Sequence, residues 1–506
     1  MPRLLISAAH KSSGKTTISI GLCAALTARG LIVQPFKKGP DYIDPMWLSR
    51  AAGRACFNLD PFLMGMDEIR RLFRLQAAGA DLSLVEGNKG LYDGLALDGS
   101  NSNAALAAAL GMPVVLVVDA RGMTRGIAPL LLGYQAFDRN IHIAGVILNN
   151  LGGARHEGKL RAVIEHYTDI AVLGAVHADD RLAIVERHLG LMPSNEAGEA
   201  EEQIACIGDA IARQVDLERV IEVAHHAPPL VADETSTVAT QDAGDAVIHV
   251  ERPATGTTRK PRKQPATVAP LARALPARLR VGVAMDRVFG FYYADDLAAL
   301  AAAGAEVVPF DTIADAALPE VDAIFIGGGF PEMFAPELEA NSALRADIRA
   351  AIERGMPAYA ECGGLMYLTR SLRTEDGRHE MVGAIPGDVV MHRRPVGRGY
   401  VELVETEGAP WPGATSPEQV IRAHEFHYSS LENLDQGVRF AYRVKRGHGI
   451  DGHNDGLVYR NVLASYAHMR GVGSCHWPSR FVSFALQVKR GREREAQGSA
   501  ALAAAS

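Results

Sequence analysis

Ala358-Tyr-Ala-Glu-Cys-Gly-Gly-Leu-Met-Tyr367 decides how the second half of the chain is read. A short apolar run ends at Glu361-Cys362, and two glycines open a helix-like run. This is the pattern of a strand that turns sharply into a helix. Such a turn lifts one side chain clear of the sheet, and Gly363 and Gly364 let backbone N–H groups come close to whatever that side chain attacks. The lifted group here is a thiol, and a thiolate is a strong nucleophile. A buried cysteine followed by loop glycines would be written with the same letters, so the surrounding chain has to decide.

Upstream, Asp322-Ala-Ile-Phe-Ile-Gly-Gly-Gly-Phe-Pro-Glu332 is a strand feeding three glycines. N–H groups at Gly328, Gly329 and Gly363 could form an oxyanion hole beside Cys362, although the same glycines also make a tight turn. Leu279–Met285 and Glu306–Phe310 read as strands and Leu344–Arg354 as a helix. Past the cysteine the chain turns β-rich. Two histidine sites lie there, Arg422-Ala-His-Glu-Phe-His-Tyr428 and Leu463-Ala-Ser-Tyr-Ala-His468. A cysteine nucleophile needs a histidine to take its proton, and the partner can be distant in sequence. A single residue separates Glu425 from His427, where the helical zinc motif needs two, so metal is excluded there.

The first half carries a different chemistry. Leu4–Ser7 is a strand candidate, Lys11-Ser-Ser-Gly-Lys-Thr-Thr17 a small-residue loop, and Ile18–Arg29 a helical pattern. Strand, Gly-Lys-Thr loop and helix are the context of a phosphate loop. Ser13, Gly14, Lys15, Thr16 and Thr17 would hold ATP, Lys15 reaching the outer phosphates and the Thr16 hydroxyl a Mg2+ ion. One departure is Ala9, where the strict motif has glycine. Phe36-Lys-Lys-Gly-Pro-Asp-Tyr-Ile-Asp-Pro45 places Lys37 and Lys38 with Asp41 and Asp44 in a turn-rich segment. Those lysines could hold phosphate or a substrate carboxylate and the aspartates Mg2+, or the segment is an ordinary solvated loop. Leu82–Glu86 ends a strand with a carboxylate facing a ligand crevice, so Glu86 is a further Mg2+ candidate. Strands alternate with helices through Val176, which argues a parallel sheet covered on both faces. His188 reads as structural.

The whole chain has 506 residues, 48% hydrophobic and 22% charged, with net charge −7. That length suggests two or more domains, and the charge points to neither nucleic acid nor membrane. Five cysteines without paired spacing read as reduced thiols in a cytoplasm. The N-terminus lacks the pattern of a signal peptide, and no apolar run is long enough to span a membrane. Residues 228–276, rich in Ala, Thr, Pro and Asp with a basic cluster at Arg259–Lys263, read as a flexible linker. It divides the chain into a 1–227 ATP-binding domain and a 277–490 domain, and 491–506 reads as a disordered tail.

Taken in order, these segments resemble the cobyrinate a,c-diamide synthase family. The resemblance adds Arg187-His-Leu-Gly-Leu191 and Glu86-Gly-Asn-Lys-Gly-Leu-Tyr-Asp-Gly94, and covers all but the linker and the tail. It implies an α/β fold with two domains: a parallel-sheet phosphate-loop domain resembling dethiobiotin synthetase, and a domain resembling class I glutamine amidotransferases. It implies that Cys362 is the nucleophile on L-glutamine and His468 its activating base. It further implies that Asp41, Glu86 and Thr16 are metal positions, that Asp44 lies near substrate, and that the enzyme is a cytoplasmic homodimer. ATP would phosphorylate the a and c acetates of a tetrapyrrole, and ammonia from glutamine would displace the phosphate. The family usually has Val-Met where this chain has Asn88-Lys89. Together with differences at Asp451–Asn461 and Met469–Trp477, this resembles a branch found beside dissimilatory sulfite reductase, which implies siroheme as a second candidate substrate. A regulatory ATPase joined to an inert amidotransferase-like module, and a cobyric-acid-type synthase, are the remaining alternatives.

Overall fold

A computed structural model describes residues 1–187, 190–196, 198–230, 279–413 and 419–505. They fall into two compact units. The expected linker lies, from residue 231 on, outside the described residues, as does His188.

The first unit is a seven-stranded parallel sheet. Its strands are β1 (Arg3–Ala8), β2 (Val33–Lys38), β3 (Phe57–Leu59), β4 (Leu82–Glu86), β5 (Val114–Asp119), β6 (Ile143–Leu151) and β7 (Val172–His177). They lie in the order β3-β2-β4-β1-β5-β6-β7. Strands β1, β4 and β5 are buried along their whole length. That is why they read as continuous apolar runs and not as alternation. The chain winds outward on one side of β1 and then on the other, so the order reverses at β1, between β4 and β5. In such a sheet ligands bind at the carboxyl ends beside the reversal. There β1 leads into helix α1 (Lys15–Ala28), β2 ends at Lys38 and leads to helix α2 (Ile43–Ala52), and β4 ends at Glu86.

The second unit is built on a nine-stranded mixed sheet. Its strands are β8 (Leu279–Ala284), β9 (Ala305–Phe310), β10 (Ala323–Ile326), β11 (Ala358–Glu361), β12 (Gly397–Glu405), β13 (Val420–His427), β14 (Arg439–Arg446), β15 (Asn454–Tyr459) and β16 (Val462–Ser465). Their order is β9-β8-β10-β11-β16-β15-β14-β12-β13. The first five are parallel, and the last four pair antiparallel. Much of the β-rich region read from the sequence is therefore the continuation of one sheet, while Thr369–Arg373, Arg378–Glu380, Ile385–Met391 and Ser429–Glu432 form a separate four-stranded sheet. The antiparallel half of the nine-stranded sheet curls back on itself, helped by a register shift between β12 and β14. As a result His424 of the edge strand β13 forms an antiparallel bridge with His468, three residues beyond β16.

Helix α3 (Gly363–Leu368) follows β11, and helix α4 (Trp477–Ala505) closes the unit. The tail expected to be disordered from residue 491 continues α4 to Ala505. Its alanines are strong helix formers, and the Arg492 guanidinium donates to the Arg354 carbonyl at 3.0 Å.

The first turn of α4 anchors the unit. Trp477 is buried, its ring centroid 4.7 Å from Tyr359 and 5.0 Å from Phe325. Its indole N–H donates to Asp296 at 3.0 Å. Emptying a buried indole site costs about 3–5 kcal/mol. Trp477→Ala is expected to lower the unfolding free energy of this unit by that amount in chemical denaturation.

Candidate active site

In the second unit the chain leaves β11 at Cys362 with φ +46° and ψ −102°. A side chain rarely adopts this conformation, and strain of this kind clusters at functional sites. Tight packing leaves the turn little alternative. A β-carbon on Gly364 would lie 2.1 Å from the Ile326 carbonyl oxygen, and one on Gly363 would lie 2.9 Å from that of Gly329. The Cys362 N–H donates to Ser465 at 2.7 Å, tying the turn to β16. Gly329 sits in a short pairing with Phe289–Phe291, where a β-carbon would meet the Val288 carbonyl at 1.8 Å. A β-carbon on Gly328 would lie 2.5 Å from Cε1 of His468. Gly328, Gly329, Gly363, Cys362 and His468, five positions picked from distant segments, are thus brought together.

His468 is buried between two acidic groups. Its Nδ1 is 3.5 Å from Oε2 of Glu361, and its ring also hydrogen-bonds the Cys362 thiol. Burial alone would lower the imidazole pKa. The hydrogen bonds and negative charge of Cys362 and Glu361 outweigh burial and raise it to about 10. A histidine that stays protonated at neutral pH is the partner a thiolate requires. Glu361 is held in turn: its Oε1 accepts the Tyr359 hydroxyl at 2.5 Å and the Met469 N–H at 2.9 Å.

Glu361 is the residue that sequence reasoning missed. Neighbours on a strand point to opposite faces, so a carboxylate just before the cysteine reads as facing away from it. The left-handed turn at Cys362 breaks that alternation.

In the first unit the loop after β1 curls through Ser12 (φ +63°) and Gly14 (φ +88°), and α1 begins at Lys15 with no side-chain cap. An uncapped helix start below left-handed turns presents free N–H groups suited to phosphate. Asn149 on β6 supports the loop from below. Its amide donates to the Ser13 carbonyl at 3.0 Å, and a β-carbon on Gly14 would meet Nδ2 at 2.1 Å.

The Thr16 hydroxyl donates to Glu86 Oε1 at 2.8 Å and lies 3.3 Å from Asp44 Oδ2. Lys37 is buried among three carboxylates, with Nζ 2.9 Å from Glu86, 3.7 Å from Asp41 and hydrogen-bonded to Asp44. Burial raises the Glu86 pKa and, with the charge of Asp44, raises that of Asp41 to about 7. Burial also acts on Asp44, but Lys37 overrides it and holds that carboxyl low. Lys15 is depressed by burial and then by Lys37.

Among the described residues no group of three His, Cys, Asp or Glu side chains forms a ready metal cage. Mg2+, however, needs only one or two carboxylates beside waters and substrate phosphates. Oε2 of Glu86, on a fully buried side chain, has no hydrogen-bond partner. With the Thr16 hydroxyl beside it, this donor set fits Mg2+. Asp44, expected near substrate, shares Thr16 and Lys37 with Glu86, while Asp41 stands one position further out and accepts the Asp44 N–H at 3.1 Å. Lys38 donates to the Asn101 carbonyl at 2.6 Å. The backbone of Asn88 is clamped by Asn103, and Lys89 follows in a left-handed conformation with φ +52°.

Residues 280–471 match the CobB/CobQ-like glutamine amidotransferase domain family, and residues 2–184 an AAA domain family. The chain is 46% identical over 477 residues to the cobyrinate a,c-diamide synthase of Magnetococcus marinus, covering 94% of this chain and 96% of that protein. It is 40% identical over 495 residues to the enzyme of that name from Methanosarcina acetivorans, covering 93% of each. Against that from Listeria innocua the identity is 36% over 473 residues, covering 93% of this chain and 96% of that protein. With similarity sustained through both units at this level, the chain belongs to the cobyrinate a,c-diamide synthase family.

Proposed function

We propose that this chain is a glutamine-dependent ligase that amidates the a and c acetate carboxylates of a cobyrinate-type macrocycle at the expense of ATP. The observation that carries the glutaminase half is the buried Glu361–His468–Cys362 cluster at a left-handed turn flanked by glycines. The thiolate of Cys362 attacks the side-chain amide carbon of glutamine. N–H groups around Gly328, Gly329 and Gly363 face the oxygen that becomes negative, which is where fixed donors stabilise the transition state most. The His468 imidazolium gives its proton to the leaving nitrogen, so ammonia departs and a thioester remains. Water then attacks the thioester, with His468 taking its proton, and glutamate and the thiol are restored.

In the first unit an acetate oxygen attacks the terminal phosphorus of ATP and ADP leaves. Ammonia then attacks the acyl carbon, and phosphate leaves as the new C–N bond forms. Lys15 and the N–H groups of Ser13 to Thr17 hold the phosphates, and Lys37 holds the carboxylates of Asp41, Asp44 and Glu86 in register. Glu86 and the Thr16 hydroxyl, with Asp41 behind them, would hold Mg2+, which neutralises charge on the phosphate oxygens when bound. Lys38 and Lys89 supply positive charge at the carboxyl ends of β2 and β4 for a multiply anionic ring. The chain is expected to act as a cytoplasmic homodimer.

Siroheme is the second reading. It rests on Asn88 and Lys89, polar and cationic beside Glu86. Offering the enzyme ATP, glutamine and each macrocycle, with product mass followed, separates the two. Each amidation replaces OH by NH2, lowering mass by about 1 Da and removing one negative charge at neutral pH. Conversion of cobyrinate is expected. Conversion of siroheme alone would replace the first reading by the second, and conversion of neither would overturn the reaction assignment.

The two half-reactions separate by mutation. Cys362→Ser is expected to abolish glutamine-dependent synthesis and leave synthesis from added ammonia. Lys15→Ala is expected to lower both by about 100-fold or more, because phosphoryl transfer depends on positioned cations, while glutamate release from glutamine persists. Assays with glutamine, with ammonia and of glutamate release check all three outcomes.

The protonation of His468 makes a prediction about stability. Its pKa rises from 6.5 to about 10 on folding. A raised folded-state pKa contributes stability that is complete below the unfolded value and is lost as pH rises through the folded one. The difference in unfolding free energy between the native chain and His468→Gln is therefore expected to shrink from pH 6.5 to pH 10. Chemical denaturation across that range measures it.

A further inference from the structure

The segment Arg422–Tyr428 carries two histidines that no step above uses. His427 has a structural setting: its Nδ1 bonds the Ser429 carbonyl at 2.8 Å and its ring stacks on Tyr466 with centroids 3.8 Å apart. His424 is placed differently. The curl of the sheet brings it against His468, and the two residues exchange backbone hydrogen bonds, His468 N–H to His424 at 2.7 Å and the reverse at 3.3 Å. Their rings lie stacked, with centroids 4.9 Å apart and planes 19° apart.

A chain of packed groups holds His424 from the other side. The Tyr293 hydroxyl lies 3.3 Å from its Nδ1. The guanidinium of Arg470 sits over the Tyr293 ring at 4.9 Å and is itself fixed by Asp295, at 3.0 Å from Nε and 2.7 Å from the terminal nitrogen. Burial, and then the positive charge of His468, hold the His424 pKa well below its usual value. Two charged imidazoles in face-to-face contact in a buried site would repel strongly. One ring of the pair is therefore charged and the other neutral.

We propose that His424 is a positioning residue for glutamine hydrolysis: its flat neutral ring, pinned by Tyr293, is the backstop that keeps the His468 imidazole between Glu361 and Cys362. His424 itself takes no proton from the thiol. The proposal rests on the assignment of Cys362 and His468 above.

The test uses the full chain and follows glutamate release. His424→Phe retains a flat neutral ring, and His424→Ala removes it. His424→Phe is expected to keep kcat within about 3-fold of the native chain. His424→Ala is expected to lose about 30- to 100-fold in kcat with KM for glutamine unchanged, the size of effect that misplacement of a catalytic group by about 1 Å produces. If His424→Phe is as inactive as His424→Ala, a ring nitrogen is needed and the backstop role is overturned. Native activity in both variants overturns it equally. Should His424→Ala fail to fold, His424→Leu replaces it. That variant fills the site without a flat ring and is expected to lower kcat about 10-fold with KM unchanged, and an unchanged kcat would overturn the backstop. His468→Gln run in parallel separates the two levels of the argument. If it stays active while both His424 variants are dead, the underlying choice of base has failed, and not merely the positioning role.

Discussion

A thiol at the end of a parallel strand can act only if the turn after it lifts the sulfur out of the sheet, and that turn has to be enforced. Here the enforcement is steric. The carbonyls of Ile326 and Gly329 occupy the space that side chains at 364 and 363 would need. The backbone passes through that gap only as glycine, and Cys362 is forced to φ +46° just before it. The cost of one strained residue, on the order of 1–3 kcal/mol, is met by the packing of β10, β11 and β16 around it. Everything else in this site follows from that position: Glu361 is swung toward the same imidazole as Cys362, and the backbone of Gly329 lies beside the glycines of the turn.

Both units face the same electrostatic problem and solve it with a cation at the centre. In the first, one buried ammonium, Lys37, is surrounded by Asp41, Asp44 and Glu86. In the second, one buried imidazolium, His468, stands between a carboxylate and a thiol. A buried charge is tolerable only when it is paired and hydrogen-bonded. The difference lies in what remains unsatisfied. Glu86 retains an oxygen without a partner, which suits a site completed by an incoming cation and nucleotide. The oxygens of Glu361 are engaged by Tyr359, Met469 and His468, which suits a site that is complete before glutamine arrives.

The sequence was most legible where chemistry and local structure coincide. The phosphate loop, Glu86 at the end of β4 and Cys362 at the end of β11 each combine an apolar strand with a small-residue turn, and local patterns of that kind can be read residue by residue. Ala9, the departure from the strict loop motif, lies within that geometry with its carbonyl accepting the Tyr134 hydroxyl. What was not legible depended on sheet topology. Nothing in Val420–His427 announces that an edge strand four places from β16 will return to touch His468. Past Gly491 the alanine-rich sequence suits both a helix and a frayed end, and the hydrogen bond from Arg492 to Arg354 is tertiary, beyond the reach of a local pattern.

That return of the edge strand is also the reason the second unit needs a sheet of nine strands. A parallel five-stranded core already places the cysteine, the glycines and the strand leading to His468. By itself it would leave His468 beyond the end of β16 with one face unsupported. The antiparallel strands β15, β14 and β12 carry the chain round so that β13 can pair with the stretch carrying His468. An edge strand normally exposes a row of unpaired backbone groups. Here part of that row bonds to His468, so the device that covers an edge also fixes the backbone of the imidazole. The catalytic geometry and the closure of the sheet are then one structural requirement, and a change that loosens β13 should be felt at Cys362 without touching it.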